Sequence, residues 1–452
     1  MDRINSQVLP AFITILPFRE STIFYHKRKY TAGDAIRGLV RVDPQCRPRR
    51  IFLNFKGRTT YTSFHSSSSS TDTIPETCML FEHTLALFQS ANPERSYDIL
   101  GLGMGPDGKR VDIPFEFKFP QTVELPASKF TWAQAYECRP GHPLPPSHEL
   151  RKGYGAEAKN EYFLELIMHT TSKSDKVHHA DLKAKQKLYF ISPSPSPSYG
   201  LDGTGAEDFI RYTPRDTQFK TYRLDPDYDP HKSILKRWKD HREKHAPHQL
   251  HATFSIKANI PRSAVSKGLL PITLHLRNVS RSPELRDPPT VHLRCISVML
   301  SSKLCTRTPR PRWDRSPNAG DQTEYKYDSQ ANHRNIFERA FDTGDGVVLY
   351  DGLKVQELGN VRVPELTPTF KTYGVNLNYT IFVRVLVECA GEKRGAIACH
   401  GEVEIGSGVA PVEDVDGALE ELERGDTAPA EGDLPPPYEE RERDVRIEVG
   451  EG

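Results

Sequence analysis

Apolar and polar residues alternate with a period of two along much of this chain, the period of strands with one buried face. In Asp112 to Pro120, Ile113, Phe115, Phe117 and Phe119 fall on one side, and Pro114, Glu116 and Lys118 on the other. That pattern predicts a half-buried antiparallel strand. The same alternation covers Ile36 to Val42, Ile51 to Lys56 and Glu161 to Met168, with a Gly33-Asp34 turn signal ahead of them. The apolar run Val8 to Phe18 is interrupted by Pro10 and Pro17 and has no small-residue cleavage site after it. It is read as a first strand and not as a secretion signal.

A second block opens with Phe254, Ile256, Ala258 and Ile260 alternating with Ser255, Lys257 and Asn259. Ile272, Leu274 and Leu276 then alternate with Thr273, His275 and Arg277. Val291 to Leu300 and Tyr379 to Cys389 are longer and more continuously apolar, and Glu402 to Ile405 reads as a last edge strand. Lys303 to Arg334, basic and rich in Pro and Asn, fits no core strand and is expected to be a loop insertion. From Ile191 to Gln249 the strand period is lost. This stretch opens on the Ser-Pro repeat Ser192 to Ser198 and contains the best amphipathic helix candidate, Lys232 to Lys244. Two blocks of evenly spaced strands predict an all-β chain with two immunoglobulin-like β-sandwich domains in tandem. The expected boundaries are residues 8–192 for the first sandwich, 193–249 for a Ser/Pro-rich and basic linker, 250–408 for the second, and 409–452 for a disordered acidic tail.

Composition changes this picture in three ways. Hydrophobic residues make up 37% and there are 36 prolines, which predicts folded cores separated by unfolded segments. The net charge of +1 hides an asymmetry: residues 411–452 hold fifteen acidic side chains against four basic ones, leaving +12 on residues 1–410. A basic body and an acidic tail predict an anionic partner for the first and solvation of the second. The seven cysteines are dispersed and include no CxxC pair, so neither a disulfide framework nor a zinc finger is expected. A reducing, cytoplasmic location fits that usage, and no apolar run approaches the roughly 20 residues of a membrane-spanning helix.

Within the acidic tail lies Leu434-Pro435-Pro436-Pro437-Tyr438. Two prolines, any residue and a tyrosine form a PPxY motif, the ligand type of WW domains. The prolines hold the backbone near polyproline II, so little conformational entropy is lost on docking into an aromatic groove. Tyr438, one polyproline turn beyond Pro435, adds a flat ring with a polar tip. Pro435, Pro436 and Tyr438 are the candidate WW-binding residues. The motif is short enough to arise by chance, and its weight comes from its setting in a solvated tail.

Several segments resemble a known family. Tyr30-Thr31-Ala32-Gly33-Asp34-Ala35-Ile36-Arg37-Gly38 is similar to the early Y-x-x-G-D-x-I-x-G segment of arrestin N-terminal domains. Arg50 to Gly57 resembles the strand that follows. Phe115, Phe117, Phe119, Pro120, Leu125, Pro126 and Ser128 resemble the F-x-F-x-F-P…LP-x-S segment, and Glu161 to Met168 a further strand. Phe254 to Asn278 and Thr380 to Glu404 resemble the opening and closing strands of the C-terminal arrestin domain. With a PPxY tail behind them, the chain resembles an α-arrestin, or arrestin-related trafficking adaptor, over residues 8–192 and 250–408. The resemblance implies two arrestin-fold sandwiches and an adaptor that links membrane cargo (plasma-membrane transporters or receptors) to a HECT-type ubiquitin ligase through the ligase's WW domains. Ubiquitin-dependent endocytosis follows, with the adaptor in the cytoplasm and peripherally at the plasma membrane or endosomes. Family members often carry several PPxY motifs, whereas this chain has one. The alternative is an arrestin-fold sorting scaffold that acts independently of a ubiquitin ligase.

Other residues carry chemistry of lesser specificity. Ser192, Ser194 and Ser196, each followed by proline, are candidate phosphorylation sites, as is the serine run Ser66 to Ser70. Lys232, Lys236, Arg237 and Lys239, beside Leu235 and Trp238, are candidate contacts to an anionic lipid surface, against the plainer reading of a solvated linker helix. His241, His245, His248 and His251 have near-helical spacing, but Pro247 interrupts it and no thiol or carboxylate completes a metal site. Gly101 to Gly105 lacks the Lys-Ser/Thr of a phosphate loop and is read as a hairpin loop. No hydrolase elbow, zincin or kinase signature is present. No enzyme activity, cofactor, metal or nucleic-acid partner is expected.

Overall fold

The computed structural model describes residues 11–15, 29–44, 48–66, 71–90, 99, 102, 110–127, 136–149, 157–170, 182–194, 209–225, 228, 250–309, 325–341 and 346–410. Almost all regular structure in them is β. The strand predicted over Asp112 to Pro120 is β6 (Val111–Lys118), whose odd residues are buried and whose even residues reach solvent. It pairs antiparallel with β3 (Ala35–Val42), which pairs on its other side with β1 (Ala11–Ile15). The Gly33-Asp34 turn sits between β2 (Lys29–Tyr30) and β3. Gly33 N–H donates to the Phe119 carbonyl at 3.1 Å, and Phe119 N–H donates to the Asp34 carbonyl at 2.9 Å. Two segments read separately in the sequence are therefore one hydrogen-bonded unit.

The second sheet of this half has the order β2-β9-β8-β4-β5. Its strands are β4 (Pro48–Ser66), β5 (Thr71–Gln89), β8 (Glu157–Thr170) and β9 (Leu182–Phe190), with the short β7 (His148–Glu149) on β8. Apolar faces of the two sheets share one core, in which Ile36, Val40 and Phe117 meet Leu53, Phe55, Tyr162 and Leu164. The Phe55 and Phe119 rings pack edge to face at 4.8 Å, a favoured aromatic geometry.

The second half repeats the arrangement. One sheet runs β10 (Thr217–Lys220), β11 (His251–Asn259), β13 (Thr273–Arg281) and β17 (Leu353–Lys354). The other has the order β12-β20-β19-β14-β15, from β12 (Ser263–Val265), β14 (Val291–Pro309), β15 (Tyr325–Ala340), β19 (Val375–Cys389) and β20 (Glu392–Gly406). β16 (Val347–Val348) pairs with β14, and β18 (Phe370–Thr372) with β19. Phe254, Ile256 and Leu274 face Ile296, Val298, Ile381 and Val383 in a second core. The described helical turns are α1 (Val355–Leu358) and a 3-10 turn at Tyr222–Leu224. The chain is thus all-β and sandwich-like, with two cores inside one compact unit, Met1–Val412. Residues 411–452 lie outside the described residues.

Three expectations differ from the structure. The segment from Lys303 is no simple loop insertion: the β14–β15 ladder continues from Cys295↔Ala340 to Pro309↔Tyr325. The sequence there shows no apolar period, since Lys303, Thr306, Arg307 and Asn332 to Arg334 are polar. The stretch expected as linker contains β10, and Ile210, Phe219 and Leu224 from it are buried in the second core. The strand over Glu402 to Ile405 begins ten residues earlier, at Glu392, and the parallel β12 covers its last three residues.

Candidate interaction surfaces

Of the candidate residues, Pro435, Pro436 and Tyr438, Lys232, Lys236, Arg237 and Lys239, Ser196, and His241, His245 and His248 lie outside the described residues. His251 is described, and its Nδ1 lies 2.9 Å from the Ser282 hydroxyl. Ser192 and Ser194 are described and line a cleft between the two halves. Among the described residues, no group of three or more His, Cys, Asp or Glu is placed to hold a metal ion. Among them too, no helix is long and apolar enough to cross a membrane, which is a statement about helices alone.

A strongly charged built surface is the outer face of the β4-β8-β9 sheet. In β9, Leu182, Ala184, Leu188 and Phe190 turn inward, so Lys183, Lys185 and Lys187 must share the opposite face. Register sets Glu165 opposite Lys185 and Phe163 opposite Lys187, and on the far side Arg58 opposite Glu161 and Lys56 opposite Phe163. Lys56, Arg58, Lys159, Lys183, Lys185 and Lys187 therefore share a face with the carboxylates of Glu82, Glu161 and Glu165. Positive charge is in excess.

Glu161 organises this face. Its side chain is 6% exposed and meets Arg58, Lys159 at 2.7 Å and Lys185 at 3.3 Å. Burial alone would raise its pKa. Hydrogen bonds from Lys159 and Arg58, with the charges of Arg58 and Lys185, overcome burial and hold the carboxyl at about 2. Phe163, an aromatic on the outward face, is nonetheless buried. The Lys185 ammonium lies 3.6 Å from its ring centroid and the Arg58 guanidinium 5.1 Å. Lys56 bridges Glu82 and Glu165 at 2.9 Å each. With these carboxylates engaged, Lys183 and Lys187 are left exposed on a strand whose outer edge carries only β2, at Tyr189 and Phe190, among the described residues. The sequence reading missed β9, although the alternation of Lys183, Lys185 and Lys187 is a signal that could have found it; the Arg58–Glu161–Lys185 grouping required the register of three strands.

The seam between the two halves is the other built feature. Tyr373, from the turn between β18 and β19, is fully buried in the first core and donates its hydroxyl to the Leu125 carbonyl at 2.9 Å. Tyr61 of β4 is buried in the second core. Each half thus lends a tyrosine to the other. Gly374, at φ 70°, is required here: a Cβ would fall 2.6 Å from the Tyr61 ring and hydroxyl. His142 and His148 cross the same seam, with Nε2 3.3 Å from Thr372 Oγ1 and Nδ1 3.0 Å from Thr367 Oγ1 respectively. Beside it lies a cleft of about 790 Å³ walled by Ser192, Ser194, Arg211, Arg262, Lys371 and Glu402 among others.

No protein-family model matches this chain, and no curated protein matches it.

Proposed function

We propose that the protein is an adaptor of the α-arrestin type, with two arrestin-like sandwiches that engage a membrane protein's cytosolic face and a tail that engages a HECT-type ubiquitin ligase. The observation that carries the reading is Leu434-Pro435-Pro436-Pro437-Tyr438 in an acidic segment beyond the compact all-β unit. Supporting it is the order of the arrestin-like segments, together with the pairing of the Gly33-Asp34 turn with Phe119. In this reading Pro435, Pro436 and Tyr438 dock a WW domain, while the basic β4-β8-β9 face receives an acidic cytosolic segment of a transporter or receptor. The adaptor does no chemistry of its own. It raises the concentration of ligase near cargo lysines, for ubiquitin-dependent endocytosis at the plasma membrane or endosomes.

The test is binding of full-length protein to isolated WW domains of a HECT-type ligase. Wild type is expected to bind with a dissociation constant on the order of micromolar to tens of micromolar, and Tyr438→Ala to lose at least about tenfold. Binding indifferent to Tyr438→Ala would defeat the ligase reading and leave an arrestin-fold sorting scaffold independent of ubiquitin.

A further inference from the structure

Ser194 and Ser407 are 213 residues apart in sequence, yet they interlock at the cleft wall. Ser194 N–H donates to the Val409 carbonyl at 3.0 Å and to Ser407 Oγ at 3.2 Å. Ser407 N–H in return donates to Ser194 Oγ at 2.6 Å, and the two hydroxyls lie 3.1 Å apart. Val409 N–H closes the group on Ser407 Oγ at 3.2 Å. The result is a clasp between the end of the first half and the segment that leaves β20.

The clasp is tight on its Gly406 side. A Cβ at Gly406 would fall 2.9 Å from Ser194 Oγ, so that oxygen rests directly on the Gly406 backbone. Ser194 also stands immediately before Pro195, in the repeat that reads as a target for proline-directed kinases. The hydroxyl that a kinase would modify is thus the same atom that accepts the Ser407 N–H. Ser192, in the same repeat, lines the cleft but has no part in these bonds.

We propose that Ser194 is a phosphorylation-controlled clasp on the segment Ser407–Ala410, independent of how the tail is used. The kinase captures the opened form, since a serine held between two backbones cannot enter an active site. The γ-phosphoryl group of a nucleoside triphosphate passes to Ser194 Oγ. The hydroxyl proton is released and the nucleoside diphosphate leaves. The product carries close to two negative charges and three added oxygens, which do not fit against Gly406. Glu402 and Glu404, which also line the cleft, disfavour its return, while Arg211, Arg262 and Lys371 in the same lining offer the phosphate partners outside the clasp. Modification therefore traps Ser407–Ala410 unfastened.

Amide hydrogen exchange on the intact protein tests this, with phosphoserine installed at position 194, at position 192, or at neither. Phosphoserine at 194 is expected to speed exchange of the Ser194 and Ser407 amides at least about tenfold, the order expected when a small hydrogen-bonded group opens. Phosphoserine at 192 is expected to leave both unchanged. Ser194→Ala, which keeps the Ser194 N–H and removes only its oxygen, is expected to speed Ser407 alone. The proposal is overturned if phosphoserine at 194 leaves the Ser407 amide as protected as in the unmodified protein. Equal acceleration from position 192, or no change in Ser194→Ala, would overturn it as well.

Discussion

Glu161 is the residue whose surroundings most depart from those of an ordinary surface carboxylate. Three cations converge on a side chain that is 6% exposed, and its pKa is held at about 2 against an ordinary value of 4.5. Because the folded pKa lies below the unfolded one, the ionised group stabilises the fold at all pH values above about 5. The contribution fades as pH falls from 5 to 2 and is gone below that, where folded and unfolded forms are both protonated. Its size is on the order of 2–3 kcal/mol. Glu161→Gln should therefore be less stable than wild type by about that much at pH 7, with the gap narrowing steadily between pH 5 and pH 2. Urea unfolding of both proteins across that range measures it, and a gap that does not change with pH would show that Glu161 acts through packing alone. Neutralising Glu161 also leaves Arg58, Lys159 and Lys185 facing one another, so the loss at pH 7 includes their repulsion.

At the scale of elements, the strands that were legible in the sequence are those whose alternation is dense and unbroken, such as β3, β6 and β8. β5 was not, because its ladder with β4 shifts register at Ile51/Phe52 and at Gly57/Arg58, and each shift resets the period that a reader follows. β10 failed for another reason. Its apolar residues are few and lie among Asp, Arg and Pro, so composition spoke for a linker while position in space made it a strand. Tertiary packing decided against local composition. Phe219 gives the quantitative test: it is fully buried and packs edge to face on Phe254 at 6.1 Å. Phe219→Ala should cost about 3–5 kcal/mol in urea unfolding, whereas a solvated linker residue would cost less than about 0.5 kcal/mol. The charged residues of the β4-β8-β9 face divide along the same line. The alternating lysines of β9 are present in the chain but were passed over, and the partners that engage each of them depend on register.

At the scale of the whole molecule, two cores are held together by exchange: Tyr61 and Tyr373 cross in opposite directions, and His142 and His148 cross beside them. Tyr373 does not titrate in the ordinary range, since burial pushes it to about 12. The histidines do. Burial lowers both, His142 against the opposing pull of the Arg139 carbonyl and the Glu137 charge, and His148 to about 4. His148 Nδ1 is engaged by Thr367, while its Nε2 is buried with no hydrogen-bond partner among the described residues, and Phe370 packs edge-on against the ring at 5.9 Å. A proton added at Nε2 would therefore place a charge in the seam with no acceptor to meet it. With the folded pKa below the unfolded value of about 6.5, the neutral ring belongs to the stable form. The seam is fully stable above pH 6.5 and weakens as pH falls towards 4, by on the order of 3 kcal/mol from His148. His148→Gln keeps a hydrogen-bonding group for Thr367 but cannot take up the proton. Its urea-unfolding stability should fall less than that of wild type between pH 6.5 and pH 4.5, most of which lies above the range where Glu161 begins to titrate. Parallel profiles for the two proteins would mean that His148 stays neutral without cost, and that acid reaches the seam, if at all, through His142. A steeper wild-type profile would place the acid sensitivity of the body at the contact that joins its two halves.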